Sequence, residues 1–432
     1  MKDDAQSKRV VIVGGGFAGA YAAQRLARHA RRLGLDVTLV NRTNYFIFYP
    51  LLVEAGTGSL EPRHAVVPLR RMIDHGRFLM ADVTDIDLEA QRVHAVVRGG
   101  ETHSLPYDHV IITPGSVTLM PPVPGLAEHG LQMKSMADAV GLRDRAIQLL
   151  EVADTSRDVE TRRRLLRFVV VGGAYTGVEV AGELDVFLHE ASQAYENIRS
   201  DEIRVTLVEK EARLLPQVDR GLADYAMEQL RRRGIDLRLE TTVGRVDADA
   251  VELSDGERIP TRTCLWTAGI QPPGLIDELD VPTDERGYVL CEPTLQVEGR
   301  EHVWAVGDAA INPDPDGRPY PATAQHAVQE GRAAADNILR VIGGSSPEPF
   351  VYRPKGSIAP LGCRSGVAEV FGFRISGFFA WWLYRTVYLM KMPGVGRRVR
   401  IALDWTIGLF FGRDSVQLGV HHPTSGSRAA DS

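Results

Sequence analysis

Arg9-Val-Val-Ile-Val-Gly14-Gly-Gly16-Phe-Ala-Gly19 sets a run of β-branched residues directly against three glycines and then a helical pattern. A buried strand ends there, the chain turns where glycine is least strained, and a helix begins with its unpaired N–H groups gathered at one point. Such a turn lets the backbone approach a pyrophosphate and aims helix-terminal charge at it. The pattern returns as Phe168-Val-Val-Val-Gly172-Gly-Ala174-Tyr-Thr-Gly177. One glycine turn is weak evidence. Two, each between a strand and a helix, describe a chain that handles two nucleotides and passes electrons from one to the other.

Working outward, Ala20–Leu33 reads as a helix and Asp36–Asn41 as the next strand, with further strands at Arg77–Val83, Arg92–Val97 and His109–Thr113. Helical sequence at Ser135–Leu166 leads to the second unit: strand Phe168–Val171, helix Gly177–Asn197, strand Ile203–Glu209, helix Leu222–Arg233 and a return strand Cys264–Ala268. His302–Val306 and a helix at Ala322–Ile342 then resume the first unit. The expected class is α/β, with two Rossmann-like dinucleotide-binding domains, the second nested in the first, plus a C-terminal membrane-associating helical segment. The expected bounds are 1–134 and 271–345 for the first domain, 135–270 for the second and 346–432 for the tail.

Composition supports a folded chain. Of 432 residues, 44% are hydrophobic and 25% charged, as in ordinary globular proteins. Lys2, Asp3 and Asp4 open a polar start, so no signal peptide is expected. Cys264, Cys291 and Cys363 are too sparse for a disulfide framework and suit a reducing compartment; Cys264 and Cys363 read as structural thiols. No metal-ligand spacing stands out, and an acidic net charge of −6 argues against a nucleic-acid partner. The charge is uneven, however: residues 352–432 hold 11 Lys/Arg against 4 Asp/Glu.

Several residues carry candidate chemistry. Asn41, with Arg42 beside it, closes the second strand, where a polar side chain can reach a ribose. Glu209 holds the matching place in the second unit. A carboxylate there accepts from ribose hydroxyls and repels a 2′-phosphate, which favours NADH over NADPH, though Lys210 and Arg213 soften the preference. Ala174 replaces the middle glycine and puts a Cβ where the pyrophosphate should approach. Glu179 lies two residues past Gly177, near a nicotinamide, whereas Glu183 reads as part of a solvated face. Gly307-Asp308 follows the buried run Val303–Val306, where an acid can accept from the ribitol of a flavin; Gly115 follows the strand before it.

These residues together resemble the two-dinucleotide flavoprotein reductases and, more narrowly, the type II, non-proton-pumping NADH:quinone oxidoreductases. The narrower resemblance rests on Asn44–Ser59 (Asn-Tyr-Phe-Ile-Phe-Tyr-Pro-Leu-Leu-Val-Glu-Ala-Gly-Thr-Gly-Ser), Gly172–Leu184, Ala322-Thr-Ala-Gln325-His-Ala-Val-Gln329-Glu-Gly331 and Phe411–Leu418. It implies FAD at Gly14, Gly16, Gly19 and Asp308, and NADH as substrate at Gly172, Gly177, Glu179 and Glu209. It also implies a quinone facing Gln325 and Gln329, with Lys355 and Gly356 in a turn lining its tunnel. The expected activity is hydride transfer from NADH to FAD, then two electrons to a membrane quinone, the bound flavin carrying the hard chemistry.

Phe378–Met392 and Val399–Gly412 are aromatic-rich but interrupted by Arg385, Lys391, Arg400 and Asp404, so neither spans a bilayer. With Arg397-Arg398-Val-Arg400 between them, and Trp381, Trp382 and Trp405 within them, they read as interfacial helices on a membrane surface. The placement expected is peripheral, on the cytoplasmic face of the cell membrane. A homodimer contact on the same helices is the competing reading. No cysteine pair is spaced for a disulfide or sulfide:quinone reductase. A soluble ferredoxin-type reductase, or a nucleotide-dependent redox sensor or scaffold, remains open and leaves the basic aromatic tail unexplained.

Overall fold

A computed structural model describes residues 7–419; the polar start Lys2–Asp4 and the last residues of the tail lie outside the described residues. In chain order, strand Lys8–Val13 (β1) enters the first glycine turn and helix Phe17–Leu33 (α1), followed by Leu35–Asn41 (β2) and the short helix Leu52–Gly56 (α2). Then come Arg77–Asp87 (β3), Arg92–Val97 (β4), Thr102–Pro106 (β5), His109–Ile112 (β6) and Gly130–Leu131 (β7). Helices Met136–Thr155 (α3) and Val159–Leu165 (α4) precede Arg167–Val171 (β8), Tyr175–Ser192 (α5), Arg204–Val208 (β9), Arg220–Arg232 (α6) and Asp236–Arg238 (β10). After Thr263–Trp266 (β11) and Val303–Ala305 (β12), helix Ala324–Ile342 (α7) leads to three strands, Gly356–Gly362 (β13), Ser365–Val370 (β14) and Phe373–Ser376 (β15). Helices Phe378–Lys391 (α8) and Val395–Ile407 (α9) close the series.

Two compact units result. The first holds the chain up to Ile47, Val66–Val117 and Ile270–Pro354; the second holds Phe48–Ala65, Thr118–Gly269 and the chain from Lys355 on. In the first, the sheet order is β12-β6-β1-β2-β3-β4-β5. Its nucleotide half is parallel, while β3, β4 and β5 are antiparallel. Val11, Val13, Val40, Ile112 and Ala305 join one core there. In the second, β7-β11-β8-β9-β10 is parallel throughout, around Val169, Val171, Val208 and Trp266.

Each unit repeats one topology. The strand entering the glycine turn is central, with its successor on one side and a later strand on the other: β1 between β2 and β6, β8 between β9 and β11. At that reversal the carboxyl ends of the strands open a crevice, the general ligand position of such sheets. Both central strands are buried from their second or third residue onward, which accounts for their uninterrupted Val/Ile composition.

The tail differs from expectation in one respect: it is not helical alone. β13–β15 form an antiparallel sheet before α8. Gly182 on α5 lets that sheet approach, since an added Cβ would lie 2.2 Å from the Leu361 carbonyl oxygen. Arg233 adds hydrogen bonds to the carbonyls of Leu361 and Gly182 and an ion pair with Asp185 at 2.8 Å.

Candidate functional site: two glycine turns and a buried charge cluster

In the first unit Gly14 has φ +104°, and a Cβ there would fall 2.1 Å from the Thr113 carbonyl oxygen. A Cβ on Gly19 would meet the Gly14 oxygen at 1.9 Å. Both glycines are therefore required for the turn to close. Gly16 is different: it stands at the N-cap of α1 with nothing within 4 Å of its missing Cβ, and no side chain caps the helix. The first turn of α1 thus has no side-chain cap among the described residues.

Asn41 braces this turn. Its amide oxygen accepts the Gly15 N–H at 2.8 Å while its amide nitrogen donates to the Thr43 carbonyl at 2.8 Å. Arg42 is exposed, 4.0 Å from Asp82. Gly115, at φ +76°, also has nothing within 4 Å of a Cβ. Gly307 comes to the first turn of α1, where its Cβ would touch that of Ala18 at 3.2 Å, and Asp308 beside it accepts from the Ser116 hydroxyl at 2.9 Å. The first unit therefore gathers Gly14, Gly16, Gly19, Asn41, Gly307 and Asp308 around one crevice.

Glu330, unread in the sequence except as part of a motif, supports Gly307: its carboxylate accepts the Gly307 N–H at 2.7 Å and the Asn312 amide at 3.2 Å. Burial raises its carboxyl to about 7; the Gly307 N–H opposes the rise and the charge of Asp308 adds to it. The next residue, Gly331, brings α7 against α1, since a Cβ there would lie 2.2 Å from the Ala18 oxygen. Gln325 and Gln329 occupy one part-exposed face of α7 a turn apart, and the Tyr352 hydroxyl donates to Gln325 at 3.3 Å.

The second unit repeats the device. Gly172 has φ +111°, a Cβ on Gly177 would sit 1.7 Å from the Gly172 oxygen, and the Glu209 carboxylate accepts the Gly173 N–H. Ala174 is the N-cap of α5, with φ −77° and ψ −174° against −74° and −162° at Gly16. The alanine thus holds the same backbone without strain, and its side chain is exposed. Thr267 donates to the Val171 carbonyl at 2.8 Å, as Thr113 does to Val13 at 2.9 Å. The duplication thus extends to Thr113-Pro-Gly115 and Thr267-Ala-Gly269, a repeat that was visible in the sequence.

Beyond Gly177, α5 carries Glu179 and Glu183 on one face. Glu179 keeps part of its side chain exposed but has its carboxyl desolvated. That desolvation, with the charges of Glu54 and Glu183, raises the carboxyl well above its usual range. Glu183 does not lie on a solvated face. It is buried and paired with Arg413 at 2.8 Å, a partner too distant in sequence to be foreseen. Glu54 on α2 is buried too, accepting from the Trp405 ring nitrogen at 2.6 Å with Arg385 at 3.7 Å. Arg385 lies between two rings, 4.4 Å from Trp381 and 4.7 Å from Trp405.

The tail tryptophans therefore part company. Trp381 and Trp405 are buried around Arg385, and Trp382 alone of the three is exposed, at 54%. Phe378, Phe379, Met390, Val399, Leu403 and Ile407 are exposed with it. No described helix is long and apolar enough to cross a membrane. Lys355 and Gly356 start the β13–β15 sheet, where the Lys355 carbonyl accepts the Phe371 N–H at 3.1 Å. They belong to the second unit, Gln325 and Gln329 to the first. Cys264 and Cys291 are buried and unpaired, and burial pushes the Cys264 thiol up to about 12; Cys363 is exposed.

Comparison with known proteins agrees with this arrangement. The family described as pyridine nucleotide-disulphide oxidoreductase matches residues 8–331, and the NDH2 C-terminal domain matches residues 355–414. The type II NADH:quinone oxidoreductase Ndh of Mycobacterium tuberculosis is 33% identical, covering 92% of this chain and 87% of its own. Demethylphylloquinone reductase NdbB of Synechocystis is 31% identical over 92% of this chain and 95% of its own. The NDH2 structure from Plasmodium falciparum shares the fold with a TM-score of 0.88 at 20% identity, covering 95% of this chain and all of that one. With both nucleotide units and the C-terminal region matched, the chain belongs to the type II NADH:quinone oxidoreductases, within the pyridine nucleotide-disulphide oxidoreductase family.

Proposed function

We propose that the protein is a peripheral membrane flavoenzyme that oxidises NADH and reduces a membrane quinone without pumping protons. The observation that carries this reading is the pair of matched turns, each with an uncapped helix N-terminus and a strand-end side chain bracing the middle of the turn. The first fits FAD: Gly16 and Gly115 leave open space where a Cβ would intrude, and Asp308 offers a carboxylate beside Gly307. FAD bound there supplies a two-electron carrier between NADH and quinone.

The chain's own residues then bind, orient and hold protons. The α1 and α5 N-termini take the two pyrophosphates through N–H groups and helix charge. Glu209 spends one lone pair on Gly173 and one on the Glu211 N–H at 2.9 Å, and the rest remain for the ribose hydroxyls of NADH. Asn41, with Arg42 at the rim, serves the ribose of FAD. Glu179, its carboxyl pushed up by burial and by the charges of Glu54 and Glu183, serves to hold a proton near the nicotinamide. Gln325 and Gln329 orient the quinone by its carbonyls.

The exposed face of α8 and α9, bearing Phe378, Phe379 and Trp382 with the exposed Arg400, rests on the lipid surface, so a quinone need not leave the bilayer. The side concerned is the cytoplasmic face, where NADH is available. A homodimer on this face is the competing occupant. The test is anaerobic titration of the yellow protein: NADH should bleach the flavin band stoichiometrically, and a short-chain quinone should restore it. Bleaching that no quinone reverses would exclude the quinone reading.

A further inference from the structure

A cleft of about 870 Å³ lies in the first compact unit, between α1, the outer face of α7 and the segment 348–352. None of the glycine-turn residues lines it. Four guanidiniums do: Arg25 and Arg28 from α1, and Arg332 and Arg340 from α7. Two carboxylates oppose them, and both are committed. Asp336 accepts from Arg25 at 2.7 Å, and Glu348 pairs with Arg340 at 2.7 Å.

The walls are fixed by more than charge. Asn337 donates to the Glu348 carbonyl at 2.8 Å and accepts the Glu348 N–H at 2.9 Å, which ties the 348–352 segment to α7. Arg28 and Arg332 have no acidic partner among the described residues. Arg332 is nevertheless held in place, its guanidinium carbon 4.9 Å from the centre of the Tyr21 ring. Two unopposed guanidiniums at a concave site of small-molecule size suit phosphate oxygens, which guanidinium forks bind in bidentate fashion. The Gln24 amide in the same lining can serve the polar remainder of a ligand.

We propose that this cleft binds a small organic phosphate of nucleotide size, gripped by Arg28 and Arg332. None of its lining residues belongs to the second glycine turn, and it does not depend on the role given to Gln329 toward quinone.

The test is calorimetric titration of the flavin-loaded protein with ADP and with inorganic tripolyphosphate, in saturating NAD+ so that the NADH turn is filled. Both should bind, one per chain. The double variant Arg28→Gln, Arg332→Gln should weaken both by about tenfold or more while leaving flavin content and the KM for NADH unaltered. Failure of the unaltered protein to bind either probe would overturn the proposal, as would binding that survives in the double variant. Capture on phosphatidylglycerol vesicles through these arginines, with neither soluble phosphate binding, would also overturn it and assign the cleft to a lipid headgroup.

Discussion

Glu209 reaches back from the end of its strand to hold the N–H of Gly173, the residue at the middle of the second glycine turn. Asn41 does the same for Gly15 at 2.8 Å. The side chain that would read the ribose is thus also the one that sets the loop geometry, so charge and bracing separate only by substitution. Glu209→Gln keeps an acceptor for Gly173 and removes the charge. It should narrow the ratio of kcat/KM for NADH over NADPH by about tenfold, with the fold intact. An unchanged ratio would remove Glu209 from ribose recognition.

In the first unit Asn41→Leu leaves the Gly15 N–H without its acceptor. About 1–3 kcal/mol of turn stability should be lost, seen as flavin released on gel filtration and a lower melting point. Asn41→Asp, which keeps the acceptor, should retain flavin.

Glu330 carries a pH signature. Burial lifts it from its ordinary 4.5 to about 7, so between those values the folded chain keeps a proton that the unfolded chain has released. Its contribution is complete at low pH and is lost as pH rises through 7, a fall of about 3 kcal/mol between pH 4.5 and 8. Glu330→Gln, still able to accept from Gly307, should flatten that part of the denaturation midpoint against pH. A variant whose profile parallels the unaltered protein would show that Glu330 does not titrate there.

The Glu183–Arg413 pair ties the last described segment to α5, and Arg413 also donates to the Thr57 carbonyl at 3.2 Å. Arg413→Leu strands a buried carboxylate and should cost about 3–5 kcal/mol in urea denaturation. The double change Glu183→Leu, Arg413→Leu should recover much of the loss.

Two tryptophans should answer opposite assays. Trp405→Ala removes the donor to buried Glu54 and opens the core beside Arg385, lowering stability by about 3–5 kcal/mol. Trp382→Ala should leave the melting point alone and weaken flotation with anionic vesicles. Loss of vesicle binding from neither Trp382 nor its neighbours Phe378 and Phe379 would leave the dimer reading of that face.

Where hydrophobic period and glycine spacing both spoke, the chain was readable: β1, β8 and their helices fall within a few residues of expectation. The nested order of the two nucleotide folds follows from the same signal. Ser135–Leu166, read as one helical stretch, breaks at Ser156, because Asp158 accepts the Thr161 N–H at 2.8 Å and starts a new helix. The Asp158 cap is legible in the sequence as an acid three residues ahead of Thr161. The β13–β15 sheet was not, since Gly356–Gly362 mixes glycine and proline with apolar residues and shows no clean alternation. Trp381, Tyr384, Arg385 and Tyr388 share one helical face, so spacing alone could have sorted Trp381 from Trp382. Glu54, Glu183 and Arg413 lie too far apart in the chain for any local pattern to join them.

Gly331 presses the backbone of α7 onto Ala18, with no side chain between. Backbone contact at that point opposes sliding of α7 along α1. On the roles proposed for Gln325 and Gln329, a change of electron acceptor would come from exchanging what projects from those two positions rather than from shifting the beam that bears them.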